Sequence, residues 1–252
     1  MKIGVIGIGN MGYAFAIALS KSKNDLVYVY DKSKKLNFRK KNIIKTNSID
    51  ELLNSSEIIF ISVKPKDADS LLDYIAPMSK GKTFVSVVAF YPYQKLTEKL
   101  AGSQVCKIMT NVASEIGEAP VLAYCDHDVY ENIKVILKRL GKPYYVDEKI
   151  LDALVPIVGS GPAILSYFLE SLSEYMLLVG LEKDQADQIV NELAYVTAKY
   201  IIKKKINYYD LYKKVTTPAG ITVKILKDFD KKSMKGNVIE AIYSNVSEKL
   251  KL

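Results

Sequence analysis

Gly7-Ile8-Gly9-Asn10-Met11-Gly12 is the stretch that decides the fold. The apolar run Ile3 to Ile6 precedes it and the helical run Tyr13 to Ser20 follows, so three glycines sit where a strand turns into a helix. The spacing alone is a weak signal; between a strand and a helix, at the start of a βαβ unit, it is strong. Gly7 permits the tight turn, Gly9 lets a pyrophosphate approach the backbone, and Gly12 lets the helix pack closely on the strand. The helix start then offers unpaired N–H groups and a partial positive charge to the phosphates. Ile6, Gly7, Ile8, Gly9, Asn10 and Met11 are therefore the expected cradle of a dinucleotide.

Outward from that turn, short apolar runs alternate with helical stretches: Leu26 to Tyr30, Ile58 to Val63, Thr83 to Val88 and Val105 to Met109. Continuous apolar strands in this rhythm indicate βαβ units and a parallel sheet covered on both faces. The second strand ends at Asp31, about 20 residues past the glycines, where an acid accepts hydrogen bonds from the adenosine ribose and disfavours a 2′-phosphate. Lys32, Ser33, Lys34 and Lys35 follow at once and could hold that phosphate. Asp31 tilts the reading towards NADH, with NADPH left open.

After Asp147 the strand-like runs stop. Leu165, Phe168, Leu169, Leu172, Tyr175, Met176 and Val179 recur at helical spacing, as do Ile189, Val190, Leu193, Val196, Tyr200 and Ile201, and later Val238, Ile239, Ile242, Tyr243 and Val246. The expected organisation is an α/β chain: a doubly wound, mainly parallel Rossmann domain over residues 1–148 and an all-α domain over residues 149–252. The stretch Leu151 to Leu181, interrupted by Glu170 and Glu174, reads as core rather than as a membrane span. Helices with apolar faces this wide commonly bury them against a second copy, so dimerisation is expected.

Composition narrows the function classes. Cys106 and Cys125 are the only cysteines, too few for a disulfide framework and without metal-ligand spacing, which suits a reducing cytoplasm and no bound metal. The opening Met1-Lys2-Ile3-Gly4-Val5 is already strand-like, so no export leader is expected. A net charge of +8 invites a nucleic-acid reading, but the lysines are scattered and lack interleaved aromatics, so no nucleic-acid or membrane partner is expected. The single histidine, His127, lies between Asp126 and Asp128, and a solvated loop is expected there.

Further along, Val63-Lys64-Pro65 ends a strand, Ser86-Val87-Val88-Ala89 ends the next, and Lys107-Ile108-Met109-Thr110-Asn111 the one after. Together with Gly159-Ser160-Gly161-Pro162 and Val215-Thr216-Thr217-Pro218-Ala219-Gly220-Ile221-Thr222, these segments resemble, in order and across nearly the whole chain, the pyrroline-5-carboxylate reductase family. The resemblance implies reduction of the cyclic imine 1-pyrroline-5-carboxylate to proline by NADH or NADPH. It implies a homodimer or larger assembly whose active sites are shared between subunits. It places Val63, Lys64, Pro65, Val88, Ala89, Met109 and Asn111 along the nicotinamide half of the cofactor. Substrate binding falls to Val215, Thr217, Gly220, Ile221 and Thr222, with the Thr222 hydroxyl on the ring nitrogen as the catalytic contact.

The chain departs from the family where Phe90 and Ala219 stand for glycines, Thr217 for a serine and Lys107 for an arginine. Competing readings are another reductase with the same N-terminal domain, such as a deazaflavin-dependent NADP reductase or a related imine reductase, and a nucleotide-sensing regulator without catalysis. A β-hydroxyacid dehydrogenase would need a lysine on the helix after its glycine segment, and Gly159 to Glu174 has none.

Overall fold

The computed structural model describes residues 1–32 and 37–250. Eight strands are found among them: β1 (Lys2–Ile6), β2 (Leu26–Tyr30), β3 (Ile43–Lys45), β4 (Ile58–Ile61), β5 (Thr83–Ser86), β6 (Gln104–Met109), β7 (Ala119–Tyr124) and β8 (Gly141–Tyr145). They form one sheet in the order β3-β2-β1-β4-β5-β6-β7-β8. All neighbours are parallel except β6 and β7, which pair antiparallel with Lys107 opposite Tyr124. The order reverses at β1, so the crevice outside the carboxyl ends of β1 and β4 is where a doubly wound sheet binds ligands.

The helices of this part are α1 (Asn10–Leu19), α2 (Ile49–Ser55), α3 (Pro65–Ile75), α4 (Tyr93–Lys99), α5 (His127–Leu140), α6 (Glu148–Ala153) and α7 (Val155–Val158). Alternation along β1 sends Ile3 and Val5 to one face, into a core with Phe15, Leu19 and Ile136, and Ile6 to the other, with Leu52, Ile61 and Leu72. Both faces are thus buried, as the continuous apolar runs require. Compact packing divides the chain after Gly161, into Met1–Gly161 and Pro162–Leu252.

The second unit contains α8 (Gly161–Leu178), α9 (Lys183–Lys204), α10 (Tyr208–Val215), α11 (Ile221–Lys231), α12 (Met234–Ser244) and α13 (Ser247–Leu250), α8 opening on the last residue of the first. Here the expectation of a buried core for Leu151 to Leu181 holds at Leu151 and Val158 but fails along much of α8 within one chain. Leu165 is 63% exposed, Tyr175 64% and Leu178 86%. The helical period is right, but the described residues of a single chain leave Leu165, Leu172, Tyr175 and Val179 of that face exposed.

Three strands escaped the sequence reading. β3 is only three residues long, β7 contains Pro120, and β8 carries Pro143 with mostly exposed or half-exposed residues, so none reads as a continuous apolar run. His127 begins α5 instead of sitting in a loop, with its ring edge-on to Tyr145 at 5.8 Å. The two expected strands ending at Val63 and Val88 stop earlier, at Ile61 and Ser86, because the chain leaves the sheet there to form the crevice rim.

A buried ionic cluster stabilises the rim below β6. Lys107, 1% exposed, reaches Glu148 Oε1 and Asp152 Oδ2 on α6 at 2.8 Å each. Glu148 Oε1 also accepts the Tyr93 N–H at 2.7 Å, tying the start of α4 to the same point. Burial pushes the Asp152 carboxyl above the usual range, against the pull of Lys107, and its Oδ1 is buried without a hydrogen bond. The thiols of Cys106 and Cys125 are both buried and free; Cys106 is pushed up by its contact with Cys125 and by burial.

Candidate active site

Gly7 takes φ +86°, a conformation that L side chains rarely adopt. Its N–H donates to the Tyr30 carbonyl at 2.9 Å, and Ser62 Oγ donates to the Gly7 carbonyl at 2.7 Å. The turn is therefore held from β2 on one side and from the end of β4 on the other. A Cβ on Gly12 would lie 1.9 Å from the Gly7 oxygen, so the close crossing of helix and strand demands glycine. Gly9 differs: a Cβ there would meet nothing within 4 Å.

That open space lies at the start of α1. Gly9 caps the helix without a side-chain hydrogen bond, and no acidic residue occupies the first turn. Uncapped N–H groups, the positive end of the helix dipole and empty volume beside Gly9 together suit a pyrophosphate.

A cleft of about 710 Å³ continues from the glycine turn. Ile6, Gly7, Gly9, Asp31, Lys32, Val63 and Lys64, all expected at the cofactor, line it. Asp31 Oδ2 accepts the Ile8 N–H at 2.7 Å, which orients the carboxylate at the end of β2. Lys32 stands 3.7 Å from Asp67 on α3. Ser33, with Lys34 and Lys35, lies outside the described residues. The cleft also uses residues that motif reading missed: Tyr30, Ile49, Ser62, Ser70, Leu71 and Tyr74. The last three sit on one side of α3, and only the pairing of β4 beside β1 brings that helix to the site.

Other expected cofactor residues are not among those lining this cleft. Ile8 and Val88 are buried in the two sheet-face cores. Asn10 and Met11 open α1, and Pro65 opens α3 as its first residue. Ala89 and Met109 pack with Leu122, Leu151 and Val158 at the carboxyl ends of β5 and β6. Asn111 is 7% exposed, and its amide is occupied structurally: Nδ2 donates to the Val158 carbonyl and Oδ1 accepts the Ala113 N–H, both at 2.9 Å.

The candidate substrate residues belong to the second unit. The Gly220 N–H donates to the Thr217 carbonyl at 3.0 Å, closing a turn with Pro218 and Ala219 at its centre. Ala219 takes φ +59°, the sign a type II turn needs at its third position and the reason glycine is the usual occupant. The turn delivers the chain into α11, whose second residue is Thr222. Gly220 caps α11 without a side-chain bond, leaving first-turn N–H groups for an anion. Val215 and Ile221 are exposed, Thr222 half-buried.

Sheet order, glycine turn and cleft define a dinucleotide-dependent oxidoreductase of the doubly wound class. Comparison with known proteins narrows this. Residues 2–90 match the family model described as NADP oxidoreductase coenzyme F420-dependent, and residues 148–252 match that of pyrroline-5-carboxylate reductase dimerisation. The pyrroline-5-carboxylate reductase of Aquifex aeolicus is 29% identical, with 100% of this chain and 97% of that one covered. That of Staphylococcus saprophyticus is 28% identical, over 88% and 87%. In fold, the chain is similar to the NADP-bound pyrroline carboxylate reductase of Plasmodium falciparum, with TM-score 0.90 at 24% identity over 99% of this chain and 97% of that chain. Across nearly its whole length the chain is similar to pyrroline-5-carboxylate reductases, and its helical part matches the dimerisation model of that family. The match over its helical half separates it from deazaflavin-dependent reductases, which share the N-terminal pattern.

No helix among the described residues is long and apolar enough to cross a membrane, and no cluster among them could hold a metal ion.

Proposed function

We propose that this chain reduces 1-pyrroline-5-carboxylate to proline with NADH or NADPH. The observation that carries the reading is the pairing, in one sequence, of the glycine cradle with the Thr217–Thr222 turn and helix start. When bound, the reduced nicotinamide supplies a hydride to the imine carbon. The protein's work is then to position and to supply a proton at nitrogen, since a protonated imine is already electrophilic.

Each residue has a definable part. The α1 N-terminus holds the pyrophosphate, Asp31 the adenosine ribose, and Val63, Lys64, Pro65, Val88, Ala89, Met109 and Asn111 build the rim beside the nicotinamide. The uncapped start of α11, with Thr217 and Gly220, binds the substrate carboxylate, flanked by Val215 and Ile221. Thr222 donates its hydroxyl to the ring nitrogen.

A homodimer or larger assembly is part of the proposal, each active site being completed by a second copy; the dimerisation-family match and the exposed apolar residues of α8 support it. Light scattering should give a mass of at least two chains, and a mass of one would remove that part. We place the enzyme in the cytoplasm, where the free thiols of Cys106 and Cys125 stay reduced.

The test is loss of reduced-nicotinamide absorbance on adding pyrroline-5-carboxylate, with NADH and NADPH compared. Asp31 favours a lower KM for NADH. Thr222→Ala should cut kcat by about a hundredfold, the scale of a lost proton-donating contact, while cofactor affinity stays put. Full turnover in that variant would end the assignment of Thr222. Cofactor binding without turnover of the imine would favour the regulator instead.

A further inference from the structure

The sharpest local anomaly in the nucleotide-binding unit is Phe90. Its φ is +57°, in the left-handed region where an aromatic side chain is a genuine outlier. Phe90 is the third residue of a turn closed by the Tyr91 N–H on the Val88 carbonyl at 3.4 Å. Glycine would take that conformation without strain.

Strain of this kind persists only where the surroundings over-determine it. Here they do. Val88 and Tyr91, on either side, are 2% and 6% exposed and belong to one sheet-face core. Tyr91 Oη donates to Asp69 on α3 at 2.7 Å. Two residues further, the Tyr93 N–H is held by Glu148, itself fixed by Lys107. Ala89 packs against Met109, Leu122 and Val158. The turn is pinned to α3, α6 and β6, with a half-buried phenylalanine at its tip.

Position gives the strain a meaning. The cleft runs from Asp31 at the end of β2, past the glycine turn, to Val63 and Lys64 after β4, and its Asp31 end takes the adenosine of a dinucleotide. The other end of the dinucleotide must run away from Asp31, over the carboxyl ends of β4, β5 and β6. Phe90 stands at the carboxyl end of β5, on that path. A ring retained there against the backbone's preference contributes through its side chain.

We propose that Phe90 is a specificity-determining residue, its ring limiting the size of the cyclic imine admitted beside the nicotinamide. The inference rests on the functional reading above and deepens it: the substrate class is the five-membered imino acid in preference to larger rings.

The experiment compares wild type, Phe90→Gly and Phe90→Ala on pyrroline-5-carboxylate and its six-membered homologue, with a thermal midpoint for each. Phe90→Gly removes both ring and strain; Phe90→Ala removes the ring and keeps the strained Cβ. Both should raise the six-to-five-membered ratio of kcat/KM by about tenfold, the scale of a methylene-sized change in a pocket. The thermal midpoint of Phe90→Gly should not fall below wild type. An unchanged ratio in both variants of an active enzyme would overturn the assignment, and so would a shift in Phe90→Gly alone, which would make the effect one of backbone. Wild type silent on both rings would overturn the functional reading itself, and this assignment with it.

Discussion

Lys107→Met is expected to destabilise the chain by about 3 kcal/mol, the low end of what removing one member of a buried ionic cluster costs. The low end applies because the partner side chains retain 28% and 19% exposure, against 1% for the lysine. Methionine replaces the stem but leaves Glu148 and Asp152 facing each other without a counter-charge. Asp152 is already pushed up, by burial first and by Glu148, with only Lys107 opposing. A carboxyl whose folded value is raised favours the folded state below its unfolded value, and that advantage is lost as pH rises through the folded one. Removing the lysine widens this window upward. The deficit should therefore be largest near neutrality and shrink on acidification, as Asp152 takes up its proton. Urea unfolding at fixed chain concentration, at neutral pH and near pH 5, checks both parts; an equal deficit at both would show that the charge cluster is not its source. Lys107→Arg, which keeps the charge, should lose much less.

That cluster also marks how far the sequence could be read. Lys107 is visible as the charged residue in the otherwise apolar run Val105 to Met109, yet nothing in its spacing says that a lysine there is buried. Its partners lie 41 and 45 residues away, and only the seating of α6 beneath β6 brings them together. The glycine turn, by contrast, was legible because its determinants are local: the φ of Gly7 and the crossing at Gly12 follow from six consecutive residues. Asp31 was legible for the related reason that β2 must end beside that turn. Ser62 and the α3 residues Ser70, Leu71 and Tyr74 were not, since they reach the cleft through strand order, a property of the whole sheet. The same contrast governs the helical half. Periodicity identified the apolar faces of α8 and α9, but not that residues such as Leu165, Tyr175, Leu193 and Val196 stay exposed in a single chain, because a period records which residues share a face and not what the face meets.

Two strained positions join these scales. Phe90 and Ala219 are departures from glycine in the sequence, and each holds the positive φ that glycine would have supplied. The backbone of both turns is thus kept while the side chain changes. Retaining the turn preserves the fold; adding atoms at its tip alters what can approach it. Substitution at such positions should therefore act on substrate choice more than on cofactor affinity.

Gly9→Asp and Gly12→Ala should affect the cofactor alike and the fold oppositely. At Gly12 the added Cβ falls 1.9 Å from the Gly7 oxygen and 2.9 Å from its carbonyl carbon, both backbone atoms, so the glycine turn has to open. Stability and nucleotide affinity are then lost together. At Gly9 a Cβ meets nothing, and φ −76° with ψ −162° suits any residue. Aspartate is a favoured cap and a stabilising charge at a helix start, so the free protein should gain about 0.5 kcal/mol. The same carboxylate would sit where the pyrophosphate belongs, both filling the space and repelling it. Affinity for NADH should fall by roughly a hundredfold or more, about 2.7 kcal/mol. Fluorescence titration with NADH, beside unfolding of the ligand-free protein, separates the two. A Gly9→Asp variant that binds NADH as wild type does would mean that the phosphates do not rest on α1, and the cradle would have to be sought elsewhere along the sheet.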